Sequence, residues 1–290
     1  MLLSKNVPSL GRVYHPIGAS TQLGDLVVEI DEYFQHGITL TRGDVVFDVG
    51  ANIGAFALNA ARHAGGGLRF YGFEPIPELF AALERNFASP LLADSERRLF
   101  RTGLTAPGRD THAEFHYFKR LPGDTTQHID EKREEFAQFF AAKGAAAREV
   151  AERTLPGSVG RAAGASLDRW VAGWPTRPVT RWLFDRAIGV TKVRAPLTTI
   201  ASVVERERVG RIDLLKVDVE GAELEVLEGV ADAWPRVRQV VLEGHDKDGR
   251  RAAIEALLHE HGFDQVHTEM RAQSQERALN NFVLHARRTR

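Results

Sequence analysis

The chain has 290 residues, enough for one large α/β domain or two small ones, and 43% hydrophobic against 27% charged residues supports a sizeable core. A formal charge of −1 excludes a general electrostatic attraction to nucleic acid or to anionic membranes. The absence of cysteine excludes disulfides, thiolate metal ligands and a cysteine nucleophile, and is compatible with a reducing compartment. Met1-Leu2-Leu3-Ser4-Lys5-Asn6 lacks the apolar core of a signal peptide, and no run approaches ~18 apolar residues. A soluble, cytoplasmic protein is the expectation.

Residues 1–25 are rich in Gly, Pro and polar side chains, with little periodicity. Val27-Val28-Glu29-Ile30-Asp31-Glu32-Tyr33-Phe34 reads as a lead-in that closes over a ligand, or as an edge element packed on a sheet. After a turn at 41–44 comes an apolar strand at 45–50, a glycine turn, and a helix at 53–63 with Phe56, Ala57 and Ala60 as its buried stripe. Gly65-Gly66-Gly67 ends that helix. A second strand at 68–74 is stopped by Pro75, and Pro77 opens a helix at 77–88. A third strand is expected at 99–105. Residues 113–118 alternate polar and apolar, the pattern of an antiparallel edge strand.

Residues 124–195 break this rhythm. The stretch 131–151 is helical in pattern, with Phe136, Phe139 and Phe140 on or near one face. Leu155-Pro156-Gly157 interrupts it, and 166–187 is aromatic, with Trp170, Trp174, Trp182 and Phe184. The segment is too long and apolar for a linker and reads as a helical insertion. The alternation then resumes: helix 199–208, strand 212–218, helix 222–230, strand 237–243, helix 250–261, and strands 263–268 and 281–286. The expected fold is a doubly wound, Rossmann-like α/β sheet, mostly parallel, with the last two strands paired antiparallel at one edge. It divides into a lead-in and first half of the core (1–123), the insertion or lid (124–195) and the second half (196–290).

In such a sheet a ligand sits beyond the carboxyl ends of the strands. Those positions hold Asp48, Gly50, Asn52 and Gly54; Glu74; Gly103, Leu104 and Thr105; Asp218 and Glu220; and Glu243, His245 and Asp246. Each alone could be a helix cap. Together they make one edge of acids with a histidine. Glu74 ends the second strand about 20 residues past the glycine turn, where an acid accepts hydrogen bonds from both hydroxyls of an adenosine ribose. A pyrophosphate would need glycine where Asn52 stands, and Asp48 would repel it. An acid there suits an ammonium group, directly or through water. Adenosine joined to an amino acid without phosphate is S-adenosylmethionine.

Three runs carry a family resemblance: Phe47-Asp48-Val49-Gly50-Ala51-Asn52-Ile53-Gly54, Phe73-Glu74-Pro75, and Lys216-Val217-Asp218-Val219-Glu220-Gly221-Ala222-Glu223. With Val240-Val241-Leu242-Glu243-Gly244-His245-Asp246 and the final strand, they resemble the FkbM family of S-adenosylmethionine-dependent methyltransferases. The resemblance implies a class I methyltransferase fold. It implies cofactor roles for Asp48, Gly50, Asn52, Gly54 and Glu74, with Asp218 near the methionine end. Gly103 and Leu104, after the third strand, complete the expected cofactor set. It also implies O-methylation of a natural product, sugar, or polyketide or peptide intermediate; N- or C-methylation on the same fold and a non-catalytic binding module are the alternatives.

Methyl transfer requires a nucleophile aligned with the methyl and a group to take its proton. His245 is the candidate base, because imidazole titrates near neutrality, with Asp218 and Glu243 as the other catalytic candidates. Its competing role is a cap before helix 250–261. Asp218, Glu220 and Glu243 could instead hold a divalent ion, against which Glu220 and Glu223 read as acids at a helix N-terminus. A metal-free site is the expectation. From 153 to 194 six arginines, Lys192 and Arg194 face only Asp168 and Asp185, which suits an acidic carrier protein or an anionic substrate, or is a solvated surface. The partners expected are a small-molecule acceptor and such a carrier, not nucleic acid or membrane. A homodimer interface is a further role open to the insertion.

Overall fold

The computed structural model describes residues 2–17, 30–134, 185–186, 188–270 and 281–289. Most of the expected insertion, with its aromatic stretch and most of its basic run, lies outside the described residues.

The core is a seven-stranded sheet. Its strands are β3 (Val45–Val49), β4 (Arg69–Phe73), β5 (Glu96–Phe100), β9 (Leu214–Val217), β10 (Gln239–His245), β11 (Gln265–Met270) and β12 (Asn281–Arg287), in the spatial order β5-β4-β3-β9-β10-β12-β11. The pairs from β5 to β10 are parallel; β12 runs antiparallel to both β10 and β11. β12 is thus inserted between β10 and β11, and β11 forms the edge. The sheet is doubly wound, as expected. All five residues of β3 are buried, because helices cover both of its faces.

Four further strands lie outside this sheet: β1 (Leu2–Val7), β2 (Gly11–Pro16), β7 (His112–Phe118) and β8 (Val190–Thr198), with a two-residue β6 (Gly103–Leu104). Three sequence expectations change here. Residues 2–16 form an antiparallel hairpin, although their sequence lacks clear alternation. It is held by Asn86, buried in α2 (Pro77–Asn86): the Asn86 amide accepts from Tyr14 N–H at 2.7 Å and donates to the carbonyls of Tyr14 at 2.8 Å and Ile53 at 2.7 Å. The strand expected at 99–105 is two strands in different sheets, β5 and β6, since the chain leaves β4 after Phe100 and pairs with Leu197 and Thr198 instead. Residues 112–118 are not an edge of the main sheet but pair antiparallel with β8, so the final part of the expected helical insertion is strand.

The turn from β3 into α1 (Ala55–Ala64) sits at the point where the chain winds to opposite sides, with β4 on one flank and β9 on the other. Gly50, at φ 74°, turns back so that its N–H and that of Ala51 donate to the Phe73 carbonyl at 3.1 and 2.9 Å. A Cβ on Gly50 would lie 1.8 Å from the Asp218 carbonyl oxygen, so backbone approaches backbone here. Gly65, at φ 73°, closes α1 with its N–H on the Ala61 and Arg62 carbonyls. Gly50→Ala combines left-handed strain with overpacking, and is expected to destabilise the fold by about 2–5 kcal/mol. Urea unfolding checks this; an unchanged midpoint would contradict the close approach.

Candidate active site

A cleft opens beyond the carboxyl ends of β3, β4 and β9, walled on its far side by β6 and β7. Of the residues expected at the cofactor, Gly50, Asn52, Glu74, Gly103, Leu104 and Asp218 line it. Apolar surface from Phe73, Leu79 and Phe115 faces the same space. Gly54 does not. It is the left-handed N-cap of α1, and a Cβ there would meet the Leu83 side chain at 2.8 Å.

Asp48 is also not on the wall. It is 1% exposed within β3, and its register partner across to β9 is Lys216. The Lys216 ammonium lies 3.3 Å from Asp48 Oδ1 and 3.4 Å from Asp218 Oδ2, and donates to the Gly50 carbonyl at 2.8 Å. Burial pushes the Asp48 carboxyl up, against the pull of the Lys216 ammonium. Burial acts to lower the Lys216 ammonium, yet the Asp48 and Asp218 charges outweigh it and hold the group above its ordinary value. Asp48 therefore already has a resident cation, and Asp218 is the carboxylate presented to the cleft.

Glu74 stands at the end of β4, 4% exposed. Its carboxylate accepts from Asn52 N–H at 3.0 Å and from Ile76 N–H at 2.8 Å, one donor on each oxygen. Asn52 reaches it through a left-handed φ of 49°, which asparagine tolerates better than most side chains. A carboxylate has about four lone-pair sites, so capacity remains on both oxygens for a ribose diol. Burial pushes the Glu74 carboxyl up to about 7, against the two backbone N–H groups that favour its charged form.

A second set of polar groups adjoins the cleft. Tyr33, buried in the lead-in, donates its hydroxyl to Glu243 Oε2 at 2.9 Å, with Asp218 Oδ2 at 3.4 Å. Glu220, at φ 53°, accepts from the Lys132 ammonium at 2.6 Å, and Asp124 Oδ1 lies 3.5 Å from the same nitrogen. Burial pushes the Glu220 carboxyl well up, while Lys132 opposes it. His245 ends β10 at 8% exposure, with its Nε2 3.9 Å from Glu220 Oε2. Glu223 begins α3 (Glu223–Glu228); it accepts from Gly221 N–H at 2.6 Å, has Arg250 Nη1 3.7 Å away, and is pushed by burial to about 7.

Among the described residues, Asp218, Glu220 and Glu243 do not form a group with one ligand atom from each gathered within 4.8 Å. Lys132 and Tyr33 occupy those carboxylates instead. Sequence reasoning did not identify Lys132, which falls inside the segment read as insertion, nor the hydroxyl contacts of Tyr33. Their contacts span 88, 185 and 210 positions, and no local pattern marks them.

The strand order, the glycine turn at the winding switch and the acid ending the next strand define a class I S-adenosylmethionine-dependent methyltransferase. The methyltransferase FkbM domain matches residues 48–273, and the chain belongs to the FkbM methyltransferase family. It is 35% identical over 236 residues to the 31-O-demethyl-FK506 methyltransferase FkbM of Streptomyces tacrolimicus, covering 81% of this chain and 78% of that protein. Methyltransferase sdnD of Sordaria araneosa is 32% identical over 228 residues, 76% of this chain and 73% of its own. The AMB antimetabolite synthetase AmbE of Pseudomonas aeruginosa is 35% identical over 242 residues, 81% of this chain but 10% of that one. The METTL16 MTase domain aligns with a TM-score of 0.42 at 10% identity, covering 91% of this chain and 67% of that chain. Membership implies S-adenosylmethionine as methyl donor. The residues present fit it: an apolar slot, a carboxylate with spare acceptor capacity for the ribose, and Asp218 facing the cleft. No helix among the described residues is long and apolar enough to cross a membrane.

Two predictions follow from the buried charges. Because its folded pKa is raised, the stability contribution of Glu74 in the free protein is full below the ordinary carboxylate pKa and is lost as pH rises through about 7. A diol donates to the ionised form, so affinity for S-adenosylhomocysteine should rise with pH by up to about tenfold per unit below 7 and then level off. Calorimetry across that range tests it, and Glu74→Gln should flatten the profile and weaken binding about tenfold to a hundredfold. Removing the partner of a buried charge is strongly destabilising, so Lys216→Met should cost about 3–5 kcal/mol in urea unfolding. Adding Asp48→Asn should recover part of that loss; a double variant no more stable than Lys216→Met would contradict the pairing.

Proposed function

We propose that the chain transfers a methyl group from S-adenosylmethionine to a hydroxyl oxygen of a small natural-product, sugar or carrier-bound polyketide or peptide intermediate. The observation that carries this reading is the polar edge of Asp218, Glu220 and His245 beside the cofactor cleft. It offers an acceptor hydroxyl both hydrogen-bond partners and a proton acceptor. The 31-O-demethyl-FK506 methyltransferase supports oxygen as the methylated atom. AmbE supports an acceptor handled within a synthetase, since a stretch similar to this chain makes up one tenth of that much longer protein. An acidic carrier is the partner proposed for the basic run 153–194.

Bound S-adenosylmethionine supplies a methyl already activated by its sulfonium. Glu74 accepts from the ribose, and the turn at Gly50 and Asn52, with Gly103 and Leu104 opposite, encloses the nucleoside. Asp218, held by Lys216, faces the amino-acid end. Asp48 acts on the site through Lys216. His245 receives the hydroxyl proton at Nε2, and Glu220, anchored by Lys132, lies alongside that nitrogen. Tyr33 fixes the carboxylate of Glu243 and leaves it to shape the acceptor side.

Intact-mass analysis of free and carrier-bound hydroxylated acceptors after incubation with cofactor tests the reaction, with fragmentation to locate the added CH2. A gain on nitrogen or carbon would replace the oxygen assignment. His245→Ala should lower kcat by about 10²–10⁴ while leaving affinity for S-adenosylhomocysteine unchanged. Full turnover in that variant would remove the base assignment.

A further inference from the structure

A second cluster of ligand-type side chains lies away from the cleft, at the β11 edge of the main sheet. His267 on β11 and His285 on β12 are register partners, and Glu269 lies two residues beyond His267, on the same face. The lead-in lays His36 across them. Its ring stacks on that of His267 with centroids 3.6 Å apart and stands 4.9 Å from that of His285. Glu269 Oε1 is 2.9 Å from His36 Nε2 and 3.2 Å from His267 Nε2, so two imidazole nitrogens converge on one carboxylate oxygen. One ligand atom from each of the three residues lies within 4.8 Å of the others.

The segment carrying His36 is held in place for this. His36 adopts a left-handed φ of 51°, unfavourable for a side chain with a Cβ, which turns its ring onto the sheet. Below it, buried His285 donates from Nε2 to the Glu32 carbonyl at 2.8 Å, which ties the same segment to β12. Between these two anchors lies Tyr33, whose hydroxyl reaches Glu243 and Asp218.

We propose that His36, His267 and Glu269 bind a divalent transition ion, zinc by the chemistry of its donors, with water completing the coordination. Two imidazoles and one carboxylate are a borderline donor set that suits zinc rather than calcium or magnesium. Tetrahedral zinc with bonds of about 2.0–2.2 Å holds neighbouring donors about 3.3–3.6 Å apart. Glu269 Oε1 already lies 2.9 and 3.2 Å from the two imidazole nitrogens, and binding requires the stacked His36 and His267 rings to splay so that both Nε2 lone pairs point at the ion. The ion staples the lead-in to the β11 edge and thereby steadies Tyr33 against the active-site carboxylates. It is a positioning site, distinct from the reacting atoms and independent of the acceptor's identity.

Zinc chloride titrated into the full chain after EDTA treatment and dialysis, read with a chromophoric zinc indicator, tests the site. One equivalent should bind, with affinity at least tenfold weaker in His267→Ala and in Glu269→Ala, both at exposed positions that leave the core intact. Hydrogen exchange of peptides covering 30–41 should slow on adding one equivalent of zinc to the wild type and not in the variants. Sub-stoichiometric binding, or binding unchanged in both variants, would overturn the site. Unchanged exchange over 30–41 would overturn the stapling role.

Discussion

A single buried ammonium organises this site. Lys216 lies beside Asp48 across the β3–β9 pair and satisfies its charge with that carboxylate, with Asp218 and with the Gly50 carbonyl. An ammonium out of water is tolerable only with such a full set of partners. Meeting that requirement brings the end of β9 against the glycine turn of β3, close enough that only glycine fits at position 50. The place where the two halves of the sheet wind apart is thus locked by charge as well as by strand pairing. The cleft is the space left beyond it.

The remaining walls come from distant parts of the chain, each held by its own polar tie. Glu74 is aimed by two backbone N–H groups, one from the turn and one from the start of α2. The lead-in reaches the carboxylates of Glu243 and Asp218 through Tyr33 and is tied to the sheet edge through His36, His285 and Glu269. Lys132 reaches in from the opposite direction, and Thr126 Oγ1 donates to the Glu220 carbonyl at 2.7 Å beside it. Acids that would repel one another if left alone are bridged: Lys216 lies between Asp48 and Asp218, Tyr33 between Asp218 and Glu243, and Lys132 between Glu220 and Asp124. The edge can then hold many carboxyl groups close together.

Much of the core could be read directly. Alternating strand and helix patterns, proline at the start of α2 and glycine at the end of α1 are local signals, and the structure places those elements within a few residues of the expected bounds. The hairpin at 2–16 could not be read, because its stability comes from Asn86, which lies more than 70 positions away. Nor could the split of 99–105: an apolar run has no mark for the point at which it changes partners from β4 to β8. Asp48 shows the same limit at a single residue. Its position after an apolar run suggested a ligand-facing acid, and only the β3–β9 register reveals a lysine beside it.

The sequence by itself determined the doubly wound architecture, the glycine turn at 48–54 and the acid at position 74. All of these depend on backbone period, turn chemistry and spacing within some 25 residues. Tertiary structure alone decided which carboxylate faces the cleft, which cations neutralise the others, and which distant segments contact them. Those outcomes rest on contacts between residues 88 to 210 positions apart, where packing and desolvation select the partner and the linear order carries no trace of it.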